Sequence, residues 1–267
     1  MKMHASQQMP VVNLTISAVT ADYTILGASY SVPTAIILTI NTGILVYSDA
    51  SLGAVSVTGT FPAGSTLLIV NNGAMMGHCG AGGNGSGPYA DGSTAGGDAG
   101  NGLYLNYTGI VTVTLDNTAG YFFGGGGGGG GGARAYHTGY NPAAGGGGGQ
   151  GCGADVLGHY LYGSTGTSAG GGTNATDGAQ MTNINQPYGT RGIGGNGEIS
   201  IAGIHSSTTG GYGGDGGDFG VVGSAGGDSA FQTGSAGGAA GKACYIVAGS
   251  LTITAGNNGS QVKGALA

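Results

Sequence analysis

The chain has 267 residues, of which 67 are glycine, only 6% are charged and 39% are hydrophobic, with a net charge of −6. Five basic residues, Lys2, Arg134, Arg191, Lys242 and Lys263, cannot form the footprint that nucleic-acid phosphates need. No apolar stretch approaches the length of a membrane-spanning helix. Collagen is excluded because glycine keeps no strict period of three and proline is scarce. A disordered linker would carry more charge and fewer strand-forming residues.

The start, Met1 to Met9, has one lysine but no apolar core segment, so it is not read as a signal peptide. Residues 1–76 then read as all-β: Leu14, Ile16 and Val19, followed by Ile36-Ile37-Leu38-Thr39-Ile40, are β-branched or apolar runs bounded by turn residues. A unit recurs along the chain. Leu38-Thr39-Ile40-Asn41-Thr42-Gly43 leads to Ile44-Leu45-Val46, and Leu67-Leu68-Ile69-Val70-Asn71-Asn72-Gly73 leads to Ala74-Met75-Met76. Val111 to Asn117 leads to Tyr121-Phe122-Phe123, and Leu251 to Gly259 closes the chain. Each is a strand, an Asn-rich corner and a second short segment. Such units are predicted to stack, because one unit cannot bury its own face.

Between these strands lie the glycine tracts, the longest being nine consecutive glycines at 124–132. Extended glycine can adopt a polyproline-II-type helix with three residues per turn and no internal hydrogen bonds. Its outward N–H and C=O groups must then pair with neighbouring chains that approach without side chains between them. The predicted class is therefore mostly β plus a polyglycine-II helix bundle. It has a short β-strand base layer, about eight extended glycine-rich helices and almost no α-helix. The expected division is a β-rich base over 1–76, a glycine-rich bundle over 77–244 into which the strand 103–115 is inserted, and a terminal base strand within 245–267.

Taking the strands as a base, the tracts are expected to alternate in direction. Tracts 77–87, 124–132, 166–172 and 210–217 lead out. Tracts 96–102, 145–153, 189–197 and 223–241 return, the last counted as one helix. Residues 154–162 and 199–204 are expected at the base. Four connections are then expected at the far end: 88–94, 133–144, 173–188 and 218–222. They carry aromatic, amide and charged side chains suited to recognition: Tyr89 and Asp91; Arg134, Tyr136, His137, Tyr140 and Asn141; Asn183, Asn185 and Tyr188; Asp218 and Phe219.

No catalytic pattern is complete. Gly241-Lys242 is followed by Ala243, which breaks a phosphate loop. His4, His78, His137, His159 and His205 lack metal-ligand spacing. Cys79, Cys152 and Cys244 form an odd set and read as small buried residues. No cofactor, metal or catalytic residue is expected, and the chain is expected not to be an enzyme.

The segment Pro62 to Gly73 before a glycine tract, Val111 to Asn117 before 124–132, and Gly237-Gly238-Ala239-Ala240-Gly241-Lys242-Ala243 before a final strand resemble the glycine-rich receptor-binding adhesins of tailed bacteriophages. Those include detachable fibre-tip adhesins and the glycine-rich ends of some tail-tip host-specificity proteins. The resemblance covers most of the chain from Leu14 onward. It implies a virion protein, made in the host cytoplasm, whose far loops bind an outer-membrane protein or surface polysaccharide. It also implies mounting on a phage fibre or tail protein through the N-terminal β region, as a homotrimer or as a monomer on a trimeric fibre. The chain departs from the fibre-tip adhesins in having no tryptophan and a shorter β region. Two other readings fit the composition, a non-catalytic structural fibre or coat protein and an ice-binding protein. Bulky Tyr136, Tyr140, Tyr160 and Phe219 argue against the second.

Overall fold

The computed structural model describes residues 8–49, 52–87, 92–135, 143–148, 151–152, 194, 196, 199–202, 206–230 and 232–267. Among these there are strands, one 3-10 turn at Gly27–Ser29 and no α-helix. In chain order the strands are β1 (Val11–Ile16), β2 (Thr20–Ala21), β3 (Tyr23–Leu26), β4 (Ala35–Ile40), β5 (Leu45–Tyr47), β6 (Val55–Asn71) and β7 (Ala74–Met76). They continue with β8 (Leu103–Asp116), β9 (Tyr121–Phe123), β10 (Ile199–Ala202), β11 (Ser206–Thr209), β12 (Cys244–Ala248), β13 (Leu251–Ala255) and β14 (Val262–Lys263).

The strand–corner–strand units stack. One sheet runs β1-β4-β6-β8-β12, with β13 on β8 and β3 on β6, and a second runs β14-β9-β7-β5-β2. All of these pairings are parallel. Parallel neighbours need a crossover. Here each crossover starts with a corner and a strand of the other sheet, and those after β7 and β9 continue through glycine runs; β1–β2 adds a fifth unit to the four read from the sequence. In-register pairing lines up like with like: Leu14, Leu38, Ile69, Leu115 and Ile253 form one inward ladder. Leu38, Ile69 and Leu115 are fully buried, whereas Leu14 and Ile253 at the two ends of the ladder are half-buried.

Two corners carry a buried amide chain. Asn71 Nδ2 donates to Asn117 Oδ1 (2.7 Å) and to the Tyr121 carbonyl, while Asn71 Oδ1 accepts from Gly73 N–H. Asn117 Nδ2 passes the chain on to the carbonyls of Gly256 and Gln261. Both asparagines are fully buried. Apolar side chains there would leave the corner's carbonyls unpaired.

Glycine tracts extend from this stack and hydrogen-bond laterally. Run 124–133 lies at the centre. Its N–H groups go in turn to three neighbours: Gly125, Gly128 and Gly131 to Gly100, Gly97 and Thr94; Gly126 and Gly132 to Cys152 and Gly146; Gly127, Gly130 and Ala133 to Val221, Ser224 and Gly227. Its carbonyls serve three others. Gly80, Gly83 and Ser86 donate to Gly126, Gly129 and Gly132; Gly211, Gly214, Gly217 and Gly220 donate to Ala133, Gly130, Gly127 and Gly124; Ser235, Gly238 and Gly241 donate to Gly131, Gly128 and Gly125. The six surrounding runs also bond to one another around the ring, for example Gly97 to Ala81, Ala99 to Ala239, Gly226 to Ser235, Ser224 to Asp215, Cys152 to Gly217 and Gly148 to Gly83.

The numbering along each neighbour gives its direction and corrects three expectations. Residues 220, 217, 214 and 211 pair with 124, 127, 130 and 133, so run 210–220 returns toward the sheets instead of leaving them. Residues 221–227 then lead out and 234–242 return, so the stretch expected as one helix is two antiparallel runs. Hairpin β10–β11 runs straight into the far end of 210–220, not into the base where 199–204 was expected. The physical reason is common to all three. Lateral bonding between glycine backbones accepts either direction, so no residue in a tract marks which way it runs. The tract 166–172, most of 189–197 and the segment 154–162 lie outside the described residues.

Close approach explains why side chains are excluded. A Cβ on Gly128 would stand 1.8 Å from the Ala81 carbonyl oxygen, whereas one on Gly259 meets nothing within 4 Å. Gly128→Ala is therefore expected to cost at least about 3 kcal/mol of stability and Gly259→Ala less than about 0.5 kcal/mol in chemical unfolding. Equal effects would count against backbone-to-backbone packing as the constraint.

The β2–β3 corner holds a titratable carboxyl. Asp22 has a left-handed backbone (φ 46°), and its Oδ1 accepts from Asp49 N–H (3.2 Å). Burial first, then hydrogen bonding with the Asp49 side chain, push its carboxyl up to about 6. A raised carboxyl favours the protonated fold, so its contribution is full below about pH 4 and is lost as pH rises through about 6. Asn tolerates that backbone conformation. Asp22→Asn is expected to flatten the fall in Tm between pH 4 and pH 7. An unchanged slope would refute this assignment.

Candidate functional site

The bundle has two ends. At the sheet end, Phe123 accepts from Gly77 N–H and Gly124 from Gly220 N–H. At the far end, Gly132 and Ala133 are level with Ser86, Gly146, Gly211 and Gly227. Rigid scaffolds commonly carry function on the connections at such an end.

The far end is built from short polar contacts. Ser93 N–H donates to Ser86 Oγ (2.8 Å), and the Ser93 and Ser235 hydroxyls share a 2.7 Å hydrogen bond. Ala135 and Ala143 form a two-residue bridge that closes the described part of the 133–144 connection. Between runs 221–227 and 234–242 the chain turns: Ser229 N–H donates to the Gln232 carbonyl, Gln232 N–H donates to Ser229 Oγ, and Gly234 N–H donates to Asp228 Oδ1. Ser229 Oγ also donates to the Arg134 carbonyl (2.6 Å), which ties this turn to the neighbouring connection.

Of the residues proposed from sequence, Arg134 is at the far end and half-buried. Tyr89, Asp91, Tyr136, His137, Tyr140, Asn141, Asn183, Asn185 and Tyr188 lie outside the described residues. The described flanks of 88–91 and of 136–142 are at the far end. Asp218 and Phe219 are not. They form the turn that closes at the sheet end, where Val221 N–H donates to the Asp218 carbonyl. Phe219 is 6% exposed and packs on Phe123 with ring centroids 4.9 Å apart, in a cluster with Leu45, Tyr47, Met76 and Cys152. The reversed direction of run 210–220 put this pair at the wrong end in the sequence reading.

The same reversal hid the turn at 228–233. Its signal was present, since Asp228-Ser229-Ala230-Phe231-Gln232-Thr233 is a glycine-free break inside the final glycine-rich stretch. Tyr212 was also missed, because a single tyrosine within a tract does not read as a loop.

The arrangement is an ordered shaft with clustered connections at one end and packed sheets at the other. The chain matches the model of the family described as phage tail fibre adhesin Gp38 over residues 9–266. It belongs to that family. The adhesin is therefore a virion component of the tail fibre, with receptor binding as the family role rather than catalysis. A solved structure, the gp37-gp38 adhesin tip complex of the bacteriophage S16 long tail fiber, matches at 19% identity over 96% of this chain and 82% of that chain, with a TM-score of 0.44. No curated protein matches the adhesin. Among the described residues no cluster of His, Cys, Asp or Glu is placed to hold a metal, and no helix is long and apolar enough to cross a membrane.

The placement of Phe219 is open to test. Phe219→Ala removes a buried ring and is expected to lower stability by roughly 3 kcal/mol, while phage that carry it adsorb normally at temperatures where the adhesin stays folded. Lost adsorption with unchanged Tm would return Phe219 to the recognition surface.

Proposed function

We propose that the adhesin binds its host receptor through the connections at the far end of a polyglycine-II bundle and mounts on the fibre through its β stack. The observation that carries this is the central run 124–133, hydrogen-bonded on all sides with its partners repeating every third residue. That period is the one a polyglycine-II helix requires. A run paired on every side cannot flex independently of its neighbours, so the connections it supports are held in fixed relation.

Runs 77–87, 124–133 and 221–227 lead out and the described parts of runs 94–102, 143–152 and 234–242 return, so the described flanks of 88–91 and 136–142 and the described residues of the 228–233 turn share one end. Residues 173–188 belong with this group on the composition of Asn183, Asn185 and Tyr188. The receptor classes that suit such aromatic and amide tips are an outer-membrane protein or a surface polysaccharide. Asp218 and Phe219 have no part in this proposal.

The N-terminal edge of the stack has the features of a mounting surface. Among the described residues β1 pairs on one edge only, with β4. Val11, Val19 and Val32 are each more than half exposed there. A cleft of about 420 Å³ lies beside Val32, lined by Gln8, Met9, Pro10, Val32 and Pro33. An open strand edge beside exposed apolar residues suits addition of a partner chain.

Exchange of 136–142, 173–188 and 228–233 for those of a relative with a different host is expected to switch adsorption to the relative's host. The fibre is expected to retain the hybrid adhesin. Adsorption that stays with the original host would refute recognition by this end.

A further inference from the structure

Tyr212 stands apart from every role described so far. It is the one bulky residue within 210–217, and it is 64% exposed. In a run otherwise built for close backbone contact, a largely exposed aromatic ring is not needed for the backbone pairing that joins the runs. Among the described residues its hydroxyl makes no hydrogen bond. The ring is nevertheless held in place from beneath. A Cβ on Gly227 would lie 2.7 Å from its Cδ1 and Cε1 and 3.0 Å from its Cζ, so the ring lies directly over that glycine. The two backbones are joined at the same level, where Gly227 N–H donates to the Tyr212 carbonyl (2.7 Å). The ring thus rests on a rigid glycine bed with its other face open to solvent.

Its position is near the recognition end. Gly211, the preceding residue, donates to Ala133, and Gly227, beneath the ring, leads directly into the 228–233 turn. Asp228 follows Gly227, and its carboxylate is fixed by Gly234 N–H (2.9 Å). Ser229 and Gln232 complete the turn. The ring therefore lies where run 221–227 gives way to the turn that begins at Asp228.

We propose that Tyr212 is a stacking platform for a sugar ring of a host surface glycan, with the adjoining 228–232 turn supplying hydrogen-bond partners to its hydroxyls. The surroundings decide the class of partner. A protein hot spot of this size needs a surrounding rim of apolar contacts to exclude water. Among the described residues, Tyr212 has instead glycine backbone beneath it and Asp228, Ser229 and Gln232 in the next turn. A flat aromatic face over a run that leads, one residue on, to the exposed Asp228 and then to Ser229 and Gln232 matches the two-sided chemistry of a saccharide, apolar C–H on one face and hydroxyls around the rim. This deepens the receptor-binding reading and rests on it.

The test uses phage carrying Tyr212→Ala, Tyr212→Phe or Gly227→Ala in the full adhesin. Adsorption is measured on host cells that are untreated, periodate-oxidised to destroy glycan diols, or protease-shaved. Tyr212→Ala is expected to slow adsorption to untreated cells roughly tenfold. Tyr212→Phe, which keeps the ring, is expected to stay within about twofold of the parent. Gly227→Ala tilts the ring off its bed and is expected to behave like Tyr212→Ala with little change in Tm, because the added methyl meets side chain and not backbone. The deficit of Tyr212→Ala is expected to vanish on periodate-oxidised cells and persist on protease-shaved ones. A normal Tyr212→Ala, or a deficit abolished by protease and retained after periodate, overturns the glycan platform. Tyr136→Ala and Tyr140→Ala run in parallel separate the two levels. If they slow adsorption and Tyr212→Ala does not, the platform fails and receptor binding by the far end stands. If none of them does, both fail.

Discussion

The obligation of buried backbone to pair its own hydrogen-bonding groups governs this molecule. A chain with few charges and few large side chains cannot fill a bundle interior by packing rings and methyls. It fills it instead with other stretches of backbone, and each contact between them is a hydrogen bond worth about 1 kcal/mol net. Gly128 shows the geometry: its N–H goes to Gly97, its carbonyl receives Gly238, and its missing Cβ leaves room for Ala81. Ordering glycine is entropically expensive. The tract is ordered because an unpaired N–H or carbonyl in that interior costs more than the ordering does.

The β stack meets the same obligation with different residues. In-register parallel pairing satisfies the strands, and the corners, where pairing stops, are handed to Asn71 and Asn117. The stack and the bundle are continuous through short links. Met76 leads into Gly77, Gly102 into Leu103, Phe123 into Gly124, and Lys242 through Ala243 into Cys244. Phe123, Phe219 and Cys152 seal the join from the bundle side, and Lys263 Nζ lies 5.4 Å from the Phe123 ring centroid. Aromatic side chains therefore concentrate where the two kinds of packing meet, and the bundle interior beyond them has none among the described residues.

Backbone atoms hold the shaft, and side-chain hydrogen bonds such as Ser93–Ser235 and Ser229 to the Arg134 carbonyl tie its far end. Tyr212 lies on the flank of a run. It is accommodated there because its side chain points outward, over a glycine on the next run.

The sequence by itself pointed to the strand–corner–strand units, the glycine runs and almost no α-helix, of which there is none among the described residues, because periodic β-branched residues and Asn-Gly corners favour strands and turns, and extended glycine finds partners only in backbone. It also located the connections around Arg134 and before Ser93. What only the tertiary structure decided was direction: that 210–220 returns, that 221–242 is two runs, and hence that Phe219 is buried at the sheets while Asp228 to Gln232 and Tyr212 belong to the other end. The reason is physical. Glycine backbones bond sideways to parallel and antiparallel neighbours alike, and without side chains nothing in a tract distinguishes the two. Polarity is set by the whole ring of neighbours closing around run 124–133, a condition no single segment carries.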